Sequence, residues 1–225
     1  MTYNQVLKRL ESKSNPAAVR AMARFGIISA KAYGWSTPAL KNFAREIGKD
    51  HDLALRLWST GILEARALAG LIDEKEKVTE AQMEDWVRGF DSWAVCDGTC
   101  LYLFRYTPFA YKKCWEWSEQ QEEFVKRAAF ALMACLAVSD KAANDRVFLR
   151  FLPLIRRQAV DERNYVKKAV NWALRQIGKR NRRLNGAAIK AAQQIRELGS
   201  PSARWIASDA LRELQSPAVQ RRLRA

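Results

Sequence analysis

The chain has 225 residues, 48% of them apolar, which is enough for one substantial buried core. No apolar run approaches the roughly 18 residues that a membrane-spanning helix needs. The first residues, MTYNQVLKRLESK, lack the apolar stretch of a signal peptide. We therefore expect a soluble, intracellular protein without a membrane partner.

Positive charge is distributed unevenly along the sequence. The chain holds 39 Lys+Arg against 24 Asp+Glu, a net charge of +15. Residues 1–140 contribute 19 basic and 18 acidic side chains, whereas residues 141–225 contribute 20 and 6. Such one-sided charge is typical of proteins that bind a polyanion, because contacts with phosphates release condensed counterions. The alternative is a solvated surface that keeps the protein in solution.

Apolar residues recur at helical spacing from the amino terminus onwards, and no segment alternates like a β-strand. Capping residues ahead of proline or of an acidic first turn predict several helix starts. In chain order these signals are Ser14-Asn15-Pro16, Ser36-Thr37-Pro38, Thr79 with Glu80, and Ser200-Pro201. The sequence predicts about ten to thirteen short helices joined by short loops.

Short segments repeat at intervals close to forty residues. VKRAAFAL at 125–132 recurs as VKKAVNWALR at 166–175, an offset of 41, and more weakly as ARWIASDALR at 203–212, a further offset of 37. Such periods are typical of paired-helix arrays of the HEAT type. We predict an all-α, HEAT-like helical repeat solenoid that forms a single domain over residues 1–225 and has a basic concave face. In equivalent helices Arg127 and Lys168 point the same way, and Trp172 shares the face of Lys168.

The string DSWAVCD at 91–97 places Trp93 and Asp97 four residues apart, so on a helix they share one face. The structural alternative is a packed indole and a capping carboxylate. The cysteines lack two further zinc ligands at matching spacing, so we expect buried thiols and neither a metal nor a cofactor. They are Cys96, Cys100, Cys114 and Cys135, and the one histidine is His51.

Taken together, these segments resemble the AlkD-like family of bacterial DNA alkylation repair proteins. The matching pieces occur in family order over most of the chain: Asn15-Pro16, MARF at 22–25, Gly34 with Thr37-Pro38, the Trp-x-x-x-Asp pair, KRAA at 126–129 and KKAVNWALR at 167–175. Family members are built from HEAT-like repeats and include glycosylases that remove 3- and 7-alkylated purines. The resemblance implies a bacterial protein, cytoplasmic and nucleoid-associated, that acts on damaged double-stranded DNA. We expect a monomer, because nothing in the sequence demands a larger assembly.

The resemblance also implies roles for individual residues. Trp93 and Trp172 would pack against the sugar and backbone at the lesion, Asp97 would lie beside the breaking bond, and Arg127 would hold a nearby phosphate. An alkylated purine is cationic and a good leaving group, so the site needs no general acid. It must stabilise the positive charge that develops on the sugar. The resemblance implies that the base need not be flipped into a pocket.

Further cations in the carboxyl-terminal part are predicted to contact DNA phosphates, with a solvated loop as the alternative for the cluster at 179–183. These candidates are Lys167, Lys168, Arg175, Lys179, Arg180, Arg182, Arg183 and Arg204.

One departure from the family pattern lies near the amino terminus. Active relatives continue the helix after the MAR segment, whereas here Phe25 is followed by Gly26, which predicts that the helix stops. Two alternatives to a glycosylase therefore stay open. One is a DNA-binding protein of the same fold without chemistry, and the other is a protein scaffold that uses its basic face for an acidic partner.

Overall fold

The computed structural model describes residues 1–29 and 31–223, and every regular element in these ranges is helical. This confirms the predicted all-α class. The described ranges contain fourteen α-helices, slightly more than predicted. The additional helices are short, such as Pro16–Ala23 and Pro217–Arg222, and display too few turns for a clear periodic pattern. No helix in these ranges is long and apolar enough to cross a membrane.

The chain forms two compact units, Met1–Phe109 (unit 1) and Ala110–Ala225 (unit 2). Unit 1 contains α1 (Tyr3–Ser12), α2 (Pro16–Ala23), α3 (Thr37–Ile47), α4 (His51–Trp58), α5 (Leu63–Ile72), α6 (Glu80–Arg88), α7 (Trp93–Tyr102) and one 3-10 turn (Phe104–Tyr106). Unit 2 contains α8 (Ala110–Ser118), α9 (Glu123–Ser139), α10 (Asp145–Gln158), α11 (Asn164–Gly178), α12 (Arg182–Arg196), α13 (Pro201–Leu214) and α14 (Pro217–Arg222).

The predicted helix starts are confirmed by their capping geometry. Asn15, Ser36, Thr79 and Ser200 each have extended backbone, and each side chain accepts a hydrogen bond from an amide in the first turn of the following helix. These bonds satisfy amides that lack a partner inside the helix. Local sequence therefore sets where α2, α3, α6 and α13 begin.

Unit 1 is held together by stacked aromatic rings and by one buried carboxylate. Trp58 and Trp86 stack with ring centroids 4.1 Å apart and an interplanar angle of 4°. Glu64 of α5 is 1% exposed and accepts the backbone amides of Tyr33, Gly34 and Trp35 at 2.7–3.3 Å. Three donated bonds compensate the carboxylate for the loss of water. Glu64 thereby fixes the loop that leads into α3.

The helices of unit 2 alternate between two layers. Helices α9, α11 and α13 pack side by side, while α10 packs against α12. Helix α9 is the centre of the unit, because every residue from Val125 to Ala137 is buried. The three copies of the sequence repeat lie on α9, α11 and α13, so the repeated segments are equivalent helices of successive pairs.

Gly178, the last residue of α11, lies where α11, α12 and α13 meet. A β-carbon built there would be 2.8 Å from Cβ of Ala188 and 2.6 Å from Cδ2 of Leu214. Real β-carbons do not approach so closely, and Ala188 cannot move without its helix. The close approach therefore requires glycine at this position.

Replacing Gly178 by Ala should lower the free energy of unfolding by about 1–3 kcal/mol, because the added methyl overpacks the junction. The matched control is Gly186→Ala in α12, where a β-carbon would meet nothing within 4 Å. That control should gain up to about 1 kcal/mol from helix propensity. Urea unfolding of both variants tests this. Equal stability of the two variants would contradict the close packing at Gly178.

Candidate lesion site and DNA interface

Helix α7 presents Trp93 and Asp97 on one face, one turn apart. Ser92 caps the helix by accepting the amide of Ala94, so Trp93 is the first helical residue. Both Trp93 and Asp97 are half-buried. A β-carbon on neighbouring Gly98 would meet nothing within 4 Å, so the helix surface beside Asp97 is uncovered. Both side chains are therefore partly exposed next to an open stretch of helix surface in unit 1.

Trp93 is tied to the segment that follows α2. Its indole N–H donates to the backbone carbonyl of Phe25 at 3.0 Å. Helix α2 ends at Ala23, and Gly26 has φ of +73°, a left-handed conformation that favours glycine. This confirms the predicted interruption of the helix after the MAR segment. The hydrogen bond sets the orientation of the Trp93 ring.

Arg127, in contrast, is buried in unit 2. Arg127 is the fifth residue of α9, and its side chain is only 6% exposed. Its Nη1 donates a hydrogen bond to the carbonyl of Tyr165 at 2.6 Å. Neighbouring Lys126, equally buried, bonds to Gln158 at 2.9 Å and lies 3.4 Å from Asp161. Both cations therefore connect α9 to groups around the start of α11. The equivalent position of α11 is Lys168, which is exposed.

Trp172 lies one turn after Lys168 on α11 and is half-buried. Its indole N–H lies 3.2 Å from the side-chain amide oxygen of Gln176, with that amide oriented to accept. The face of α11 that carries Lys168 and Trp172 thus combines an exposed ammonium with a partly exposed indole. The predicted neighbourhood of these two side chains agrees with the helix geometry.

Two of the side chains predicted to contact phosphates form ion pairs within unit 2. Arg175 contacts Glu213 at 2.5 Å and Asp209 at 3.4 Å, and Lys179 also pairs with Glu213. Burial alone would raise the pKa of Glu213. The hydrogen bond from Lys179 and the charge of Arg175 outweigh it and hold that pKa below its ordinary value. These two cations join α11 to α13.

Arg180 caps the end of α9 and the loop behind it. Its guanidinium donates to the carbonyls of Ala137, Lys141 and Ala143 at 3.0–3.1 Å and lies over the ring of Phe148. Ala137 lies in the last turn of α9, where carbonyls lack partners in their own helix, whereas Lys141 and Ala143 lie in the loop. Arg180 therefore joins the end of α9 to the loop that follows it.

The remaining predicted contacts differ in exposure. Lys167 lies over the exposed ring of Trp205 at 5.4 Å, and exposed Arg204 donates to the carbonyl of Gly199. Arg182 and Arg183, in the first turn of α12, are exposed and have no carboxylate partner in the described part of unit 2. With Lys168 they are the predicted cations best placed for phosphate.

Sequence reasoning missed most cations of α10 and α12. These two helices carry eight arginines and lysines against one carboxylate, Asp145, whereas α9, α11 and α13 together carry seven against three. All eight are exposed, and among the described residues only Arg157 pairs with a carboxylate, Glu119. For α10 the signal lies in the spacings of four and seven residues between Arg146, Arg150 and Arg157, which place these three side chains on one helix face.

Trp93 and Asp97 thus belong to unit 1, while Arg127, Trp172 and all eight predicted phosphate contacts belong to unit 2. The four cysteines are buried free thiols, as expected. Within residues 1–29 and 31–223 no group of three His, Cys, Asp or Glu side chains is arranged to hold a metal ion.

Arg180→Ala should lower the free energy of unfolding by about 2–3 kcal/mol, because three carbonyls lose a charged donor. Arg182→Ala, two residues away, should leave stability within about 0.5 kcal/mol of wild type and weaken DNA binding instead. Thermal unfolding and fluorescence anisotropy with labelled duplex separate the two effects. Normal stability of Arg180→Ala would show that its carbonyl contacts contribute nothing.

The chain matches known proteins by sequence family and by fold. A family model described as DNA alkylation repair enzyme matches residues 6–214. No curated protein matches the sequence. A solved structure of a new family related to the HEAT-like repeat DNA glycosylases, with affinity for branched DNA structures, superposes with a TM-score of 0.77 at 20% identity. The match covers 86% of this chain and 83% of that chain, and it shows that the fold is HEAT-like. Because the family model spans most of the sequence, the chain belongs to the DNA alkylation repair enzyme family.

Proposed function

We propose that this protein binds duplex DNA as a monomer and hydrolyses the N-glycosidic bond of 3- or 7-alkylated purines, without a cofactor. The observation that carries the proposal is the Trp93–Asp97 pair, presented on one face of α7 beside an uncovered helix surface. Membership of the alkylation repair family supports the same conclusion. Asp97 and the two indoles, Trp93 and Trp172, are the proposed catalytic groups.

The proposed reaction needs little from the protein, because the alkylated base already carries a positive charge. The bond between C1′ and the purine nitrogen breaks with its electron pair going to the base, which leaves as a neutral molecule. Positive charge then develops on the sugar, where the Asp97 carboxylate and the indole faces stabilise it. Water adds to C1′, and its proton passes through Asp97 to solvent, which yields a free base and an abasic site.

The cations of unit 2 provide the proposed phosphate contacts. Lys168, Arg182 and Arg183 are exposed and ready for this role. Arg127 is buried against Tyr165, so its proposed phosphate contact requires the first turn of α11 to move aside when DNA binds. Three of the predicted cations are proposed to support DNA binding mainly by holding helices of unit 2 in place: Arg175, Lys179 and Arg180.

A DNA-binding protein without glycosylase chemistry is the second candidate. The observation that favours it is the end of α2 at Ala23, ahead of Gly26, where active relatives continue the helix. The relative of known structure belongs to a family with affinity for branched DNA. In this second candidate Trp93 and Trp172 contact DNA, and Asp97 stabilises the fold of α7.

Asp97→Asn should reduce the release of free 3- and 7-methylated purine from methylated duplex by about 100-fold or more, because the neutral amide no longer stabilises the sugar cation. Its Kd for duplex should stay near the wild-type value, since the substitution preserves shape. The matched control is Asp91→Asn. Asp91 lies six residues before Asp97, and its exposed side chain pairs with Arg66. Chromatography measures the free bases released by the wild-type protein and by each of the two variants.

Release by Asp97→Asn at the wild-type rate would contradict the proposed mechanism. No release by folded wild-type protein that binds duplex with a steep salt dependence would favour the second candidate. Absence of any DNA binding at low salt would contradict both, and would favour a protein scaffold.

A further inference from the structure

Two large apolar side chains in the segment that follows α2 are exposed to solvent. Phe25 is 73% exposed and Ile28 is 74% exposed, the highest values among exposed large apolar residues of the described chain. Exposed single apolar residues are common, but two large ones three residues apart expose a substantial apolar area to water. Neither is needed for the core of unit 1.

This turn is held in a defined conformation. The amides of Phe25 and Ile27 both donate to the carbonyl of Met22, and that of Gly26 donates to Ala23. The carbonyl of Phe25 accepts the indole N–H of Trp93. Phe25 is therefore carried on a turn tethered next to the proposed lesion site, and Ile28 lies just after this turn.

The surroundings of the turn are entirely basic in sequence. Residues 12–45 contain six lysines and arginines and no aspartate or glutamate. The three that flank the turn are exposed, and no carboxylate pairs with them within residues 1–29 and 31–223: Arg20, Arg24 and Lys31. The net charge of residues 1–140 is nearly neutral, because the acidic residues of this range lie outside residues 12–45.

We propose that Phe25 and Ile28 form a wedge that inserts between base pairs next to Trp93 and Asp97, while Arg20, Arg24 and Lys31 bind the flanking phosphates. The inference rests on the proposed binding of DNA and names the part of DNA that this surface recognises. Apolar wedges of phenylalanine and isoleucine enter base steps that are already weakly stacked. A branch point or a damaged base provides such a step, so the wedge selects these structures over intact duplex.

Other ligands fit the turn less well. A membrane surface also attracts apolar residues flanked by cations. The hydrogen bond from Trp93, however, holds Phe25 beside a residue proposed to contact DNA at the lesion. In the proposal, Phe25 therefore meets the base step next to that contact.

The test compares wild-type protein with the double variant Phe25→Ala/Ile28→Ala. The probes are a four-way DNA junction and a linear duplex of the same arm sequence, each with 2-aminopurine next to the branch point or at the matching position. Fluorescence of 2-aminopurine rises when the base unstacks, and anisotropy gives Kd. The matched control is Val160→Ala/Leu198→Ala, which truncates two exposed apolar residues of unit 2.

We expect Phe25→Ala/Ile28→Ala to bind the junction at least about tenfold more weakly and to lose the fluorescence increase. The control should behave as wild type. Because both side chains are exposed and the tether uses the backbone of Phe25, the variant should keep the wild-type Tm.

Wild-type affinity and unstacking by the double variant would overturn the wedge and leave the proposed function standing. As a third probe, anionic phospholipid vesicles are mixed with both proteins. Vesicle binding by the wild type that the double variant loses, with junction binding unchanged, would overturn the wedge in favour of a membrane contact. Failure of wild-type protein to bind either DNA would remove both the wedge and the proposed function.

Discussion

The burial of α9 along its whole middle is the constraint on which unit 2 depends. Every residue from Val125 to Ala137 is buried, including Lys126 and Arg127. A buried cation is tolerated only when it is paired or hydrogen-bonded. Asp161, Gln158 and the carbonyl of Tyr165 supply these partners around the start of α11. The cations of α9 therefore fix how two successive helices of the array meet.

The same principle divides the positively charged side chains into two groups, those that are paired within the fold and those that stay exposed. Between α11 and α13, Arg175 and Lys179 pair with Glu213, and Arg180 binds the carbonyls behind α9. These cations hold the array together. The charge that stays exposed lies mainly on α10 and α12, with Lys168 on α11 and the stretch 12–45 in unit 1. A polyanion gains most from this second group, because among its described members only Arg157 has a carboxylate partner to displace.

The proposed chemistry and the proposed wedge share one structural element. Trp93 begins α7, and its indole N–H fixes the turn that carries Phe25. Helix α2 ends at Ala23, and the turn that follows it exposes the side chain of Phe25 next to Trp93. Asp97, one helical turn along, lies on the face that both functions would use.

The sequence alone determined the features that depend on local interactions. Capping residues ahead of proline located α2, α3 and α13, and the spacing near forty residues identified α9, α11 and α13 as equivalent helices. The stop after the MAR segment followed from Gly26. Only the tertiary structure decided which cations are exposed and which are paired. Lys168 and Arg127 occupy equivalent positions, yet one faces solvent and the other bonds to Tyr165. Periodicity places a side chain on a face of its helix, whereas its burial depends on the helices that pack there, and partners such as Glu213 lie some 34 to 38 residues away along the chain.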